Sequence, residues 1–173
     1  MATSRALLQV FAVSLITSGF VLSTNVNAQK TTIITFDAPG AGTGPGQGTL
    51  GIDINPNGTI MGIYFDSGFV CHGYVRARDG TFITFDAPGA GPITEAVSIN
   101  PAGTIAGDYA DASNVFHGYA RASDGAITTL DAPGAGTGSG QGTVLYTSNP
   151  RGAIAGFYVD SSYVSHGFLV EGE

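Results

Sequence analysis

The residues of this chain that could carry chemistry are its three histidines, each of which follows an aspartate by six positions. The pairs are Asp66 and His72, Asp111 and His117, and Asp160 and His166. A carboxylate at this distance can orient an imidazole as a general base, but no nucleophile of fixed type accompanies the three pairs. The pattern therefore favours binding over catalysis, with each imidazole held by a backbone carbonyl beneath its turn.

A metal site is the alternative interpretation of the same histidines. If a threefold axis relates His72, His117 and His166, their imidazoles would meet there and leave a fourth zinc position open. Each histidine shares its strand face with Val and with Tyr or Phe, however, and such surroundings suit a neutral, hydrogen-bonded ring better. A metal-binding protein or metalloenzyme with one histidine per repeat stays open, and no cofactor is predicted.

The histidines occupy equivalent positions in three tandem repeats. A Thr-Phe/Leu-Asp-Ala-Pro-Gly-Ala-Gly motif recurs at 35–42, 84–91 and 129–136, with periods of 49 and 45 residues. Each of the first two histidines precedes the next motif aspartate by fourteen residues, so the length difference falls in the Gly-rich loop after the motif. The repeats are approximately 35–83, 84–128 and 129–173.

Each repeat carries strand signals and no helix signals. Runs rich in β-branched and aromatic residues, at 49–55, 59–66, 69–77 and 81–88, alternate with Gly-, Asn- and Pro-containing turns. One strand face keeps a Gly-x-Tyr-x-Asp pattern, whose tyrosines are Tyr64, Tyr109 and Tyr158. We therefore predict an all-β fold of three four-stranded antiparallel repeats that form propeller-like blades, or a β-trefoil-like threefold barrel as the alternative.

The two ends of the repeat array are predicted to complement each other. The last repeat lacks the strand that follows His-Gly elsewhere, and residues 31–38 have the sequence of that strand. Pairing of 31–38 with 166–171 would close the array, within one chain or between the chains of a homodimer. The homodimer would supply six repeats, and propellers usually have about four to eight blades.

Residues 54–80, with an Asn-Pro-Asn-Gly turn, a Gly-containing strand and a His-Gly-Tyr step, resemble the bacterial extracellular HAF repeat. His-Gly-Tyr or His-Gly-Phe stands where that repeat has His-Ala-Phe. The resemblance covers all three repeats and implies a secreted β-propeller-like protein with no established activity.

The first 28 residues are predicted to be a cleaved signal peptide, because Arg5 precedes an apolar run at 6–22 and Val-Asn-Ala at 26–28 suits signal peptidase. Cleavage leaves 29–173 as a single secreted or periplasmic domain without a membrane anchor. Thirteen acidic side chains against six basic ones, a net charge of −7, exclude a nucleic-acid surface. Cys71, the single cysteine, is predicted to be a small core residue.

The remaining motifs are interpreted as turns and loops. The Gly-rich stretches 40–49 and 134–143 lack the Lys and the helix of a phosphate-binding loop. Residues 53–58 match the start of a calcium loop, but Tyr64 replaces its bidentate Glu, so a β-turn is predicted. The motif aspartates Asp37, Asp86 and Asp131 are predicted to cap backbone N–H groups. The overall prediction is a non-catalytic secreted protein that binds a glycan or an extracellular protein, or serves structurally, through the histidines, aspartates and tyrosines named above.

Overall fold

The structure, a computed structural model, describes residues 32–171; the predicted signal peptide lies outside the described residues. Within this range the chain forms eleven β-strands and no helix, which confirms the all-β prediction. No helix that is long and apolar enough to cross a membrane occurs between residues 32 and 171. The strands are β1 (Gly48–Ile54), β2 (Ile60–Phe65), β3 (Cys71–Arg76), β4 (Phe82–Phe85), β5 (Ile93–Ile99), β6 (Ile105–Ala110), β7 (Phe116–Arg121), β8 (Ile127–Leu130), β9 (Gly142–Ser148), β10 (Ile154–Val159) and β11 (Ser165–Val170).

Each of the four strand runs predicted at 49–55, 59–66, 69–77 and 81–88 overlaps a strand of the structure. In the first two repeats, β1–β4 and β5–β8, successive strands pair antiparallel, and β9–β11 repeat the first three of them. Each first strand carries a register irregularity, such as a β-bulge, in its pairing with the second.

The repeats join into a single open sheet. The third strand of one repeat pairs antiparallel with its fourth strand and, further along, touches the first strand of the next repeat in parallel. The parallel contacts are Cys71 with Ile93 and Phe116 with Gly142. Along this sheet β1 is the first strand and β11 is the last.

The predicted closure of the array within one chain is wrong for the described residues. Residues 32–38 form no strand. The Phe36 ring instead lies 5.9 Å from the Phe82 ring and 6.4 Å from the Tyr74 ring, and the Ala38 N–H donates to Thr49 Oγ1 at 2.8 Å. The Phe36 ring packs on the apolar face of the first repeat, and residues 32–38 do not pair with β11.

The core lies between successive repeats, which explains why one repeat is insufficient. Met61 from the first repeat is fully buried against Ile99 and Ile105 from the second. Leu145 and Ile154 from the third repeat pack in the same way on Ala106 from the second. Complete burial of such a side chain contributes about 1.5–3 kcal/mol, so each repeat stabilises its neighbour.

Cys71 is a core residue, as predicted. Its thiol is buried, contacts the Thr94 carbonyl oxygen at 3.4 Å, and has its pKa raised to about 12 by desolvation. A thiol with this pKa stays protonated and unreactive at neutral pH.

The Asn-Pro turn of the first repeat is a β-turn, as predicted. Asn55 Oδ1 accepts hydrogen bonds from the Asn57 and Thr59 N–H groups, both at 3.0 Å. The two oxygens of Asp53 accept from the Ile54 and Ile99 N–H groups at 2.8 and 3.0 Å. These oxygens are thus engaged by the backbone and are not arranged as calcium ligands.

Candidate binding site

Each histidine lies on the third strand of its repeat, directly opposite a tyrosine of the second strand. The sheet register pairs Tyr64 with His72, Tyr109 with His117 and Tyr158 with His166. Since paired residues point to the same face of a sheet, each imidazole stacks on the phenol ring, with centroids 4.8, 5.1 and 4.9 Å apart. The predicted tyrosine and histidine positions therefore come together in all three repeats.

The aspartate six positions before each histidine ends the second strand and organises the hairpin turn. Asp66 Oδ1 accepts hydrogen bonds from the Gly68 and Val70 N–H groups at 2.8 and 2.9 Å. These bonds, the one from Val70 first, hold the pKa of the Asp66 carboxyl below its usual range. The other oxygen, Asp66 Oδ2, faces His72 Nε2 at 3.6 Å.

The same arrangement occurs in the second and third repeats. Asp111 and Asp160 accept the equivalent turn hydrogen bonds, and their pKa values are lowered chiefly by the bonds from Val115 and Val164. The second carboxylate oxygen lies 3.8 Å from His117 Nε2 in the second repeat and 3.2 Å from His166 Nε2 in the third.

A second carboxylate, that of the motif aspartate for which the sequence predicts a capping role, lies on the other side of each of the first two imidazoles. Asp86 Oδ1 is 2.7 Å from His72 Nδ1, and Asp131 Oδ2 is 2.9 Å from His117 Nδ1. The prediction that these aspartates cap backbone N–H groups is wrong, because Thr94 and Thr143 hydroxyls accept from the N–H groups that follow them. The fourteen-residue spacing from histidine to motif aspartate was the signal of this pairing.

The imidazoles of the first two repeats are therefore bracketed by two carboxylates and a phenol ring. The prediction of a backbone carbonyl as the partner is wrong, since the ring hydrogen bonds go to carboxylates. His166 has one carboxylate partner within the described range, Asp160, where the other two histidines have two. Its side chain is 43 % exposed, against 19 % for His72 and 26 % for His117.

The three histidines are not brought together. In His72, and likewise in His117, each of the two ring nitrogens faces a different carboxylate. The two carboxylates around each ring therefore do not converge on one point. Within residues 32–171 no group of three His, Cys, Asp or Glu side chains is arranged to hold a metal ion. The metal alternative therefore has no cluster to support it in the described part of the chain.

A small cavity of about 180 Å³ opens beside the second histidine site. His117 and Asp131 line it together with Phe116 and residues 135–137 of the Gly-rich loop. Buried Gln141 orders this loop, because its side-chain oxygen accepts a hydrogen bond from the Gly138 N–H at 2.8 Å. His117 and Asp131 thus face a recess whose wall contains the Gly-rich loop and the ring of Phe116.

The hairpin turns beside the histidines hold a feature that sequence reasoning missed. Phe69, Asn114 and Tyr163 occupy equivalent positions with φ values of 62°, 60° and 62°. Left-handed backbone costs a non-Gly residue about 1–2 kcal/mol, and the Phe69 and Tyr163 side chains are exposed. Two large, exposed rings therefore occupy strained positions in the hairpins that lead to the first and third histidines, and the Tyr163 hydroxyl donates a hydrogen bond to the Ser139 carbonyl oxygen at 3.2 Å.

The arrangement offers hydrogen-bond acceptors, ring faces and a shallow recess, without a nucleophile at a fixed position. Carboxylates beside stacked rings suit ligands with hydroxyl or N–H donors and an apolar face. Comparisons of this chain with protein-family models, with curated proteins and with solved structures give no match. Its function is therefore inferred from the geometry of these sites.

Proposed function

We propose that this protein is an exported, non-catalytic β-repeat protein that binds a neutral glycan through its histidine sites and the adjoining loops. The observation that carries the proposal is the bracketed imidazole of His117, which lines the cavity of about 180 Å³ together with Asp131. This volume is smaller than the roughly 300–1,000 Å³ of typical small-molecule pockets, so contacts from neighbouring loops would complete the site.

The chemistry of the site favours hydroxyl-bearing ligands over anions. Asp111 and Asp131 present carboxylate oxygens on both sides of His117, and such oxygens accept hydrogen bonds from sugar hydroxyls. The net charge of −7 disfavours phosphate or sulfate groups. Exposed Phe69 and Tyr163 provide apolar ring faces for stacking, in a chain without tryptophan.

The architecture we propose for this function is propeller-like. Burial of side chains between successive repeats supports blades, and the HAF resemblance supports the same arrangement. The signal-peptide pattern of residues 1–28 supports export to the periplasm or the medium, where polysaccharides are accessible ligands.

A glycan array probed with the purified exported protein tests the proposal. We expect wild type to bind neutral glycans, and His117→Gln and Asp131→Asn to weaken that binding. Asp124→Asn is the matched control, because Asp124 caps an exposed turn and has no histidine partner. Equal binding by all four proteins, or no binding by wild type, would reject a glycan site at His117.

A further inference from the structure

The last repeat of the described chain presents an incomplete version of a contact that the first two repeats complete. In those repeats the fourth strand pairs with the third: Val75 lies opposite Ile83, and Ala120 lies opposite Thr128. Within residues 32–171, β11 pairs with β10 and with no other strand. The open edge of β11 is therefore a strand-accepting site.

The segment that fits this edge is present in the chain but unpaired. Residues 33–36, Ile-Ile-Thr-Phe, align with Phe-Ile-Thr-Phe of β4, and both lead into Asp-Ala-Pro-Gly-Ala-Gly. They form no strand, and the Ile33 side chain is 86 % exposed. An exposed, β-branched segment without a pairing partner is a strand donor.

Phe36 is already placed as its equivalent Phe85 is placed. The Phe85 backbone pairs with Gly73 of the first repeat while its ring packs against Tyr119 of the second. The Phe36 ring packs against Tyr74 in the same way, and its backbone is free to pair with the third strand of a preceding repeat. That preceding repeat can be the last repeat of another copy.

A cavity beside β11 matches the side chain that such pairing would bring. In the first repeat the Phe82 ring packs between Phe36 and Tyr74, at 5.9 and 5.6 Å. The equivalents of those two residues, Leu130 and Phe168, line an apolar cavity of about 320 Å³ with no residue in the place of Phe82. In the β3–β4 register, Ile33 would enter this cavity opposite Val170.

The glycine of the last His-Gly step also indicates a missing neighbour. A Cβ on Gly73 would lie 2.5 Å from the Phe85 ring, and one on Gly118 would lie 2.7 Å from the Leu130 carbonyl oxygen. A Cβ on Gly167 would meet nothing closer than 4.0 Å. The space that Phe85 and Leu130 fill in the first two repeats is open beside Gly167.

We propose that a second copy of this chain docks head to tail on the last repeat, with its residues 33–36 added to β11, Ile33 in the cavity and Asp37 beside His166 Nδ1. Asp37 is the equivalent of Asp86 and Asp131, so the partner supplies the carboxylate that His166 lacks. The same contact made reciprocally closes a two-chain ring with two identical interfaces. The proposal is independent of which ligand the histidine sites bind.

Cysteine cross-linking distinguishes a second copy from the chain's own segment. In a Cys71→Ala background, one chain carries Ile34→Cys and a second chain carries Leu169→Cys, two positions that lie opposite each other in the proposed register. The two chains are mixed, unfolded, refolded together and oxidised. We expect a dimer-sized product. The matched control replaces Ile34→Cys by Ile83→Cys, an exposed position on β4 that is already engaged with β3, and should give none.

The solution mass provides the second measurement. We expect wild type to sediment as an oligomer, and Ile33→Asp, which alters an exposed side chain, to sediment as a folded monomer with an unchanged circular dichroism spectrum. A monomeric wild type, absence of the mixed cross-link, or a cross-link that forms only when both cysteines are on one chain would overturn the proposal.

Discussion

Asp86 and His72 form a 2.7 Å hydrogen bond although they belong to different repeats. His72 lies on the third strand of the first repeat, whereas Asp86 is the aspartate of the motif that begins the second. The same relationship joins His117 to Asp131. A histidine site is therefore built by two consecutive repeats, and its formation depends on their relative position.

Removal of the second carboxylate should loosen this junction slightly. We expect Asp86→Asn and Asp131→Asn each to lower the free energy of unfolding by less than about 1 kcal/mol, because the pairs are partly exposed. Urea denaturation measures the change. Asp37→Asn, measured at a protein concentration where the chain is monomeric, is the control and should leave stability unchanged; an equal loss in all three variants would contradict the assigned pairing.

The strands and the Asp-x5-His pairs could be predicted from the sequence, because both depend on local chemistry. Alternation of β-branched and aromatic residues marks β2 and β3, and their register places Tyr64 and His72 side by side. The role of Asp86 could not be deduced in this way, since Asp in Asp-Ala-Pro-Gly equally suits a turn cap. It was decided by Thr94, whose hydroxyl accepts the hydrogen bond from the Ala87 N–H and so takes the capping role.

The closure of the array was mispredicted for a similar reason. The sequence of residues 31–38 resembles that of a fourth strand, but this likeness does not determine which edge the segment can reach, and residues 32–38 form no strand in the structure. Packing of Phe36 on Tyr74 of the first repeat decides that, and a contact between residues so far apart in the sequence does not follow from local propensity.

Asp108 should make stability depend on pH. Its side chain is buried, and its Oδ1 has no hydrogen-bond partner among residues 32–171. The equivalent residues of the other two repeats are the apolar Ile63 and Phe157. Desolvation first, and then the charge of Glu95, raise the pKa of the Asp108 carboxyl from 3.8 to about 7. The folded state thus prefers the protonated acid, and stability present below about pH 4 is lost as pH rises towards about 7.

We therefore expect Asp108→Asn to be more stable than wild type above pH 7, by on the order of 2 kcal/mol, and the difference to vanish near pH 4. Thermal melting as a function of pH measures it. Glu95→Gln should make this loss of stability smaller and end it at lower pH, because it removes a negative charge that raises the pKa of the Asp108 carboxyl. A pH-independent difference between wild type and Asp108→Asn would show that the carboxyl titrates normally.

The three His-Gly glycines should differ in their tolerance of a methyl group. Gly73→Ala and Gly118→Ala should destabilise the fold by about 1–3 kcal/mol, because the added Cβ overlaps Phe85 or the Leu130 backbone. Gly167→Ala should leave the unfolding of the monomer unchanged, since its surroundings are open. Chemical denaturation of the three variants provides the comparison, and equal destabilisation would contradict the open space beside Gly167.

We expect Phe69 to lower the stability of the fold and to contribute to glycan binding. Its left-handed backbone is unfavourable for Phe, and the equivalent position in the second repeat is Asn114, a residue type that tolerates this conformation. We expect Phe69→Asn to raise the free energy of unfolding by up to about 1 kcal/mol, measured as a higher melting temperature, and to weaken glycan binding. Full affinity in the variant would remove Phe69 from the proposed binding surface. Lower stability would contradict the strain assigned to its backbone.

The claim that the histidine sites contact the ligand is tested most directly by NMR of histidine-labelled protein. The chain has three histidines, so each imidazole gives a separately assignable signal. On titration with a glycan selected from the array, we predict saturable shifts of the His117 ring signals, lost in Asp131→Asn. Glycan binding that leaves all three imidazole signals unmoved would contradict the proposal.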